Sequence, residues 1–123
     1  MTVLTMSSTL GDLLKYELNA SYCREAVTLK AGTNYALGSV FGRITASGKY
    51  KPYDDNNTDG SEVAAAILIY DVDATSADVT AVVIFRLAEV FTNRLKWAAT
   101  VLSGEKTTAY ADLAAAGKLV IVR

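Results

Sequence analysis

The residues best placed to do chemistry in this chain are the side-chain oxygens of Asp55, Asn56, Asn57, Thr58 and Asp59, followed at once by Gly60. Oxygen donors at alternating positions, closed by a glycine that permits a sharp turn, form the first half of a calcium loop. The second half departs from that pattern. The position that would supply a bidentate carboxylate is Ala66, and neither flank reads as a long helix. Asn and Asp also stabilise turns through their own backbone and tolerate left-handed geometry, so residues 54–62 read first as an acidic turn, with or without a cation.

Catalysis has little to work with. The chain contains no histidine, which removes the usual base near neutral pH, the usual activator of a nucleophile and the commonest metal ligand. Carboxylate-only mechanisms need paired acids held across a concave site, and here the acids gather in turns. Neither enzymatic activity nor a cofactor nor a bound metal is expected. Cys23 is the single cysteine, so it has no partner for an internal disulfide and no zinc set around it. Gly38 and Gly42 have the spacing of membrane-helix dimers, but no apolar twenty-residue segment surrounds them, and the stretch reads as turn and strand.

Two side chains stand out for interaction instead. Arg86 lies inside the apolar run VVIFRLAEV, where a charge needs an acidic partner, a solvent-facing position or a subunit boundary. Glu89 points to the opposite strand face, so the partner must come from elsewhere, either this chain or a neighbouring subunit. Trp97, flanked by Lys96 and close to Arg94, is either an interface anchor or a partly buried structural Trp. Both are candidate subunit-boundary residues.

The elements that must position these groups are mostly strands. At 123 residues the chain is one domain, large enough to hide roughly two thirds of the surface its unfolded form exposes. Val27 and Leu29 alternate with Thr28 and Lys30, the pattern of a strand with one buried face. Val40, Gly42 and Ile44 share one face of a second strand, and Gly42 marks a bulge or a close backbone approach. Residues 64–72 and 79–90 are apolar runs rich in Val and Ile with six turn-prone residues between them, and they read as core strands. Residues 105–116 carry helix formers ahead of Gly117, a position where helices commonly stop. Residues 118–123 then read as a short strand between basic ends. Residues 1–20 show no sustained period; they read as a mobile arm, although Leu10, Leu13 and Leu14 also fit one helical turn.

Twelve basic residues face thirteen acidic ones, which leaves no excess positive charge to pair with phosphates, so nucleic acid is a poor partner. No basic leader with an apolar core and no long charge-free apolar run is present, so neither secretion nor a membrane is expected. The sequons at Asn19 and Asn56 then carry no glycan. Hydrophobic residues make up 51% of the chain and charged ones 20%, apolar enough for a small domain to suggest surface buried by association.

From Gly42 to Val90 several pieces follow in order: GRITASGKY, the Asp59-Gly60 turn ahead of Ala65 to Leu68, an Asp-Ala-Thr-Ser loop, and a strand with Phe85-Arg86 and Glu89-Val90. In this combination the chain resembles the lambda-type head decoration proteins of bacteriophages, the capsid-stabilising protein D family, and the likeness extends into both termini. The resemblance implies a mostly β, clip-like or barrel-like domain over residues 21–123, with a short C-terminal helix and a flexible N-terminal arm over residues 1–20. It implies a late-made structural protein of the virion, synthesised in the host bacterial cytoplasm. Its partners would be itself, as a homotrimer, and the major capsid protein at threefold sites outside the expanded head, which it would stabilise against DNA pressure. The capsid-binding arm would comprise Thr2, Val3, Leu4, Thr5, Met6, Leu10, Leu13, Leu14 and Tyr16. A trimeric subunit of a phage tail or baseplate is the alternative, and a small trimeric β enzyme of the dUTPase sort lacks its nucleotide motifs here. Because the calcium pattern is incomplete, isothermal titration is expected to show no calcium binding tighter than millimolar; tighter binding would make residues 55–66 a metal loop.

Overall fold

The apolar runs read from the sequence pair into a closed barrel. The computed structural model describes residues 13–17, 23–86, 88–98, 100–115 and 120–122. Among the described residues ten strands follow in chain order: β1 (Leu14–Glu17), β2 (Arg24–Leu29), β3 (Asn34–Tyr35), β4 (Val40–Arg43), β5 (Tyr50–Pro52), β6 (Ala64–Leu68), β7 (Val72–Asp73), β8 (Val79–Ile84), β9 (Ala88–Val90) and β10 (Ile121–Val122). One 3-10 turn, Thr92–Arg94, follows β9, and helix α1 spans Ser103–Ala114. The fold is therefore mostly β with a short C-terminal helix, as the sequence implied.

Five strands close on themselves in the order β2-β5-β4-β6-β8. Closure rests on the longest ladder, in which β2 and β8 run antiparallel from Arg24↔Ile84 to Leu29↔Val79. A closed barrel has no strand edge to template aggregation. Outside it lie a β3–β7 pair and a three-stranded sheet, β1-β9-β10, in which β9 is flanked by one strand from each end of the chain.

Leu29, Phe41, Tyr50, Ala66, Leu68, Ala81 and Val83 come from all five barrel strands and form one apolar cluster, the barrel's filling. Tyr35 meets Phe41 there edge to face, centroids 5.1 Å apart, an arrangement aromatic rings prefer. The alternate residues Val40, Ile67 and Ile84 point the other way, into a second cluster with Leu13, Ala88, Val90, Leu95, Val101, Ala109, Leu113 and Val120. Every residue of β6 is consequently buried. A strand covered on both faces reads as a continuous apolar run instead of an alternating one, which is why residues 64–68 look uniform.

Three expectations about extent need correcting. The run 79–90 is not one strand: β8 ends at Ile84 and β9 begins at Ala88 in a different sheet. Past Ile84 the Cys23 carbonyl accepts hydrogen bonds from Phe85 N–H at 2.8 Å and Arg86 N–H at 3.3 Å, and β9 then pairs with β1 and β10. The run 64–72 likewise divides into β6 and β7. The helix begins two residues earlier than expected and ends at Ala114, whereas Gly117 and residues 118–119 lie outside the described residues. Ala109 and Leu113, one turn apart, form its buried stripe. The Asp112 carboxylate accepts Ala64 N–H at 3.2 Å and so ties the helix to the start of β6.

Because Ile67 is fully buried where barrel and outer layer meet, Ile67→Ala should cost roughly 2–5 kcal/mol. Chemical denaturation would check this, and a loss below about 1 kcal/mol would mean that the two layers are packed independently.

Candidate functional site

Three parts of the chain carried functional expectations: the N-terminal segment, the acidic turn, and Arg86 with Trp97. Of the arm residues, Thr2, Val3, Leu4, Thr5, Met6 and Leu10 lie outside the described residues, as does the side chain of Tyr16. Leu13 and Leu14 belong to the body. Leu13 is fully buried, Leu14 packs against the same cluster, and β1 pairs antiparallel with β9 through Leu14↔Val90 and Glu17↔Ala88. The Leu13 carbonyl accepts Phe91 N–H at 3.0 Å. At the other end of β1, the Arg24 guanidinium holds Glu17 through two bonds, Nε to Oε2 at 3.1 Å and Nη2 to Oε1 at 2.6 Å. A bidentate, part-buried pair fixes orientation better than a single exposed contact. Leu13 and β1 are thus fastened to β9 at one end and to Arg24 at the other.

The acidic turn is held by its own side chains and by β4. Asp54 Oδ1 accepts Asn56 N–H at 2.9 Å, and its other oxygen accepts the Thr100 hydroxyl. Ser61, fully buried, donates its hydroxyl to Asp59 Oδ1 at 2.5 Å and its N–H to the same oxygen at 3.1 Å. Lys51 Nζ donates to Asp59 Oδ2 at 2.9 Å. The Ser61 hydroxyl first, then Lys51, hold the Asp59 carboxyl well below the ordinary carboxylate range. Thr100 and the Asn56 backbone lower Asp54 in the same way.

Gly42 meets the expectation of a close approach. A side chain there would run into the Ser61 backbone, at 2.5 Å from Cα and 2.7 Å from the carbonyl carbon, and the β4–β6 register shifts between Phe41 and Gly42. The turn thus lies flat on β4. Among the described residues no group of three or more His, Cys, Asp or Glu is placed to hold a metal ion.

Arg86 finds its acid within the chain. Its Nη2 lies 3.0 Å from Glu25 Oε2, and its guanidinium carbon sits 4.8 Å from the centre of the Phe85 ring, within cation–π range. Sequence reasoning missed Glu25 because the Arg24↔Ile84 register, which sets Glu25 beside the end of β8, is a long-range fact. Trp97 is half-buried between Tyr53 and Tyr110, with centroids at 6.2 and 5.8 Å. Burial first, then Asp55, push the Tyr53 phenol up to about 12, and its hydroxyl donates to the Glu105 carbonyl at 3.0 Å. Lys106 Nζ approaches the Trp97 ring at 5.8 Å. Trp97 and Leu14 pack against the cluster that contains Leu13, while Arg86 stands at the barrel's β2–β8 side.

Grooves also lie on the surface among the described residues. One, of about 220 Å³, is lined by Asn34, Tyr35, Pro52, Lys96 and Trp97, among others. Another, of about 260 Å³, runs between the acidic turn and Phe85 and includes Arg43, Tyr50 and Val63. Val63 is 45% exposed, high for a large apolar residue.

Residues 3–118 match the family model described as bacteriophage lambda head decoration protein D. The chain belongs to that family. The likeness first read from residues 42–90 thus covers nearly the whole sequence. No curated protein matches the chain. Membership makes this a structural protein of the phage head that decorates the capsid and resides in the virion. Among the described residues, no helix is long and apolar enough to cross a membrane.

The lowered acids carry a pH consequence. A carboxyl depressed in the folded state contributes stability that is present above its unfolded value, about 3.9, and that is lost as pH falls through the folded one. Asp54, Asp59, Asp73 and Asp78 all shift in this direction. The melting temperature should therefore fall from about pH 5 towards about pH 2. Asp59→Ala should flatten that decline, and an unchanged acid limb in differential scanning calorimetry would dissociate the turn from acid stability.

Proposed function

We propose that this protein binds as a homotrimer at threefold sites on the outside of the expanded phage head. It contacts the major capsid protein through the residues that precede β1, and it stabilises the shell against the pressure of packaged DNA. The family match over residues 3–118 carries this reading. The geometry at Leu13 supports the part played by the N-terminus. Residues 2–10 contain no charge, and the chain that follows them is pinned to β9 by Leu13 and Leu14.

A short apolar segment on a rigid root can add a strand to an exposed sheet edge of its partner, where backbone hydrogen bonds supply affinity. Ordering that segment costs conformational entropy, so one contact alone is weak. Three such segments on one trimer act at high effective concentration, and their combined attachment is far stronger than any one. A body seated over a threefold point then ties together the shell subunits around it, and outward pressure must break several contacts at once.

The test is to add the full chain, and a version beginning at residue 13, to expanded and unexpanded heads that lack the decoration protein, and to count copies bound. The full chain should saturate expanded heads only, in multiples of three. The shortened chain, folded by circular dichroism, should bind at least about tenfold more weakly, which is about 1.4 kcal/mol. Equal binding by the shortened chain would sink the role of the N-terminus. Equal binding to unexpanded heads would sink recognition of the expanded lattice.

A further inference from the structure

We infer that Asp59–Gly60 is a latent site of isoaspartate formation, kept silent in the folded protein by the hydrogen bonds of its own turn. It is the only Asp-Gly step in the chain, and no Asn-Gly step occurs. In such a step the glycine amide nitrogen attacks the Asp side-chain carbon Cγ. A bond forms between them, and the amide proton leaves with the carboxyl hydroxyl as water. Water then reopens the five-membered ring. Attack at one carbonyl restores Asp, whereas attack at the other leaves the main chain running through Cβ, one methylene longer. Glycine favours the reaction because it has no side chain to hinder the approach.

Neither residue is easily replaced here. Gly60 has a φ of 109°, and a Cβ on it would lie 2.6 Å from the Arg43 carbonyl oxygen and 2.8 Å from Thr45 N. Only glycine fits both the conformation and the space. Asp59 organises the turn by accepting from Ser61 and Lys51. The fold has thus retained a chemically weak step at a crowded place.

The same contacts block each requirement of the reaction. The nucleophile is engaged, since Gly60 N–H donates to Glu62 Oε2 at 2.7 Å. The electrophile is held ionised, because loss of water requires the protonated acid and the carboxylate is gripped by Ser61 and Lys51. The lowered acidity range of Asp59 agrees with this. The peptide between the two residues is also fixed, as the Asp59 carbonyl accepts Thr45 N–H at 2.9 Å. Once formed, the longer link would not fit against β4 where even a methyl group clashes, so the turn would detach from Gly42 and Thr45. Unfolding removes all of these restraints together.

The experiment ages the folded protein at neutral pH beside the same chain in denaturing urea, and beside Glu62→Ala and Lys51→Met. Isoaspartate at residue 59 is read by peptide mapping and by isoaspartyl methyltransferase labelling. The folded wild type should accumulate it slowest, the unfolded chain several-fold faster, and both variants faster than the wild type while their circular dichroism remains native. Equal rates in the folded and unfolded wild type would overturn the inference, as would native-like variants that age at the wild-type rate. Should either variant fail to fold, the wild-type comparison decides.

Discussion

The rest of the structure depends on the burial of β6 on both of its faces. Ala66 and Leu68 fill the barrel, while Ala64, Ile67 and Ile69 face the layer made by α1, β1, β9 and β10. The strand is the wall between two apolar clusters, and each needs it to be complete. Such a wall tolerates no polar side chain on either face, since an unpaired polar group there would lose its hydration without compensation. It also makes the outer layer part of the domain and not an appendage: remove the helix and one face of β6 meets water.

Around this wall, the backbone is brought unusually close at the acidic turn. Gly42 lets the Ser61 main chain lie directly on β4, and Gly60 lets the turn reverse over Arg43 and Thr45. A loop so placed cannot satisfy its polar groups with bulk water alone, and the polar side chains of Asn57, Asp59 and Ser61 bond to one another. The resulting anionic surface is largely spoken for by internal partners. The turn borders the groove at Val63 and Phe85.

The two chain ends converge on β9, with β1 antiparallel to it and β10 parallel. Val120 N–H bonds to the Leu113 carbonyl at 2.9 Å, so the last strand is also fastened to α1. Backbone pairing joins β1 to β9, and the apolar cluster shared by Leu13, Val90 and Ile67 joins that sheet to the barrel.

Several properties were legible in the residues themselves. The alternating and apolar runs pointed to a β domain, and Gly42 announced a close approach before its partner was known. The order GRITASGKY, Asp59-Gly60 and Phe85-Arg86 was enough to suggest the family. Local pattern could also place α1, because helix formers and an i, i+4 stripe are short-range signals. What the sequence could not reveal was long-range pairing. That residues 79–90 divide between two sheets depends on β8 pairing with β2 and β6 while β9 pairs with β1 and β10, that Arg86 is answered by Glu25 depends on the β2–β8 register, and that Leu13 and Leu14 join the body depends on β9 offering them an edge. A single strand of residues holds the information for which side chains prefer to be buried, but which partner buries them is a property of the closed barrel, where segments far apart in the chain compete for the same few faces.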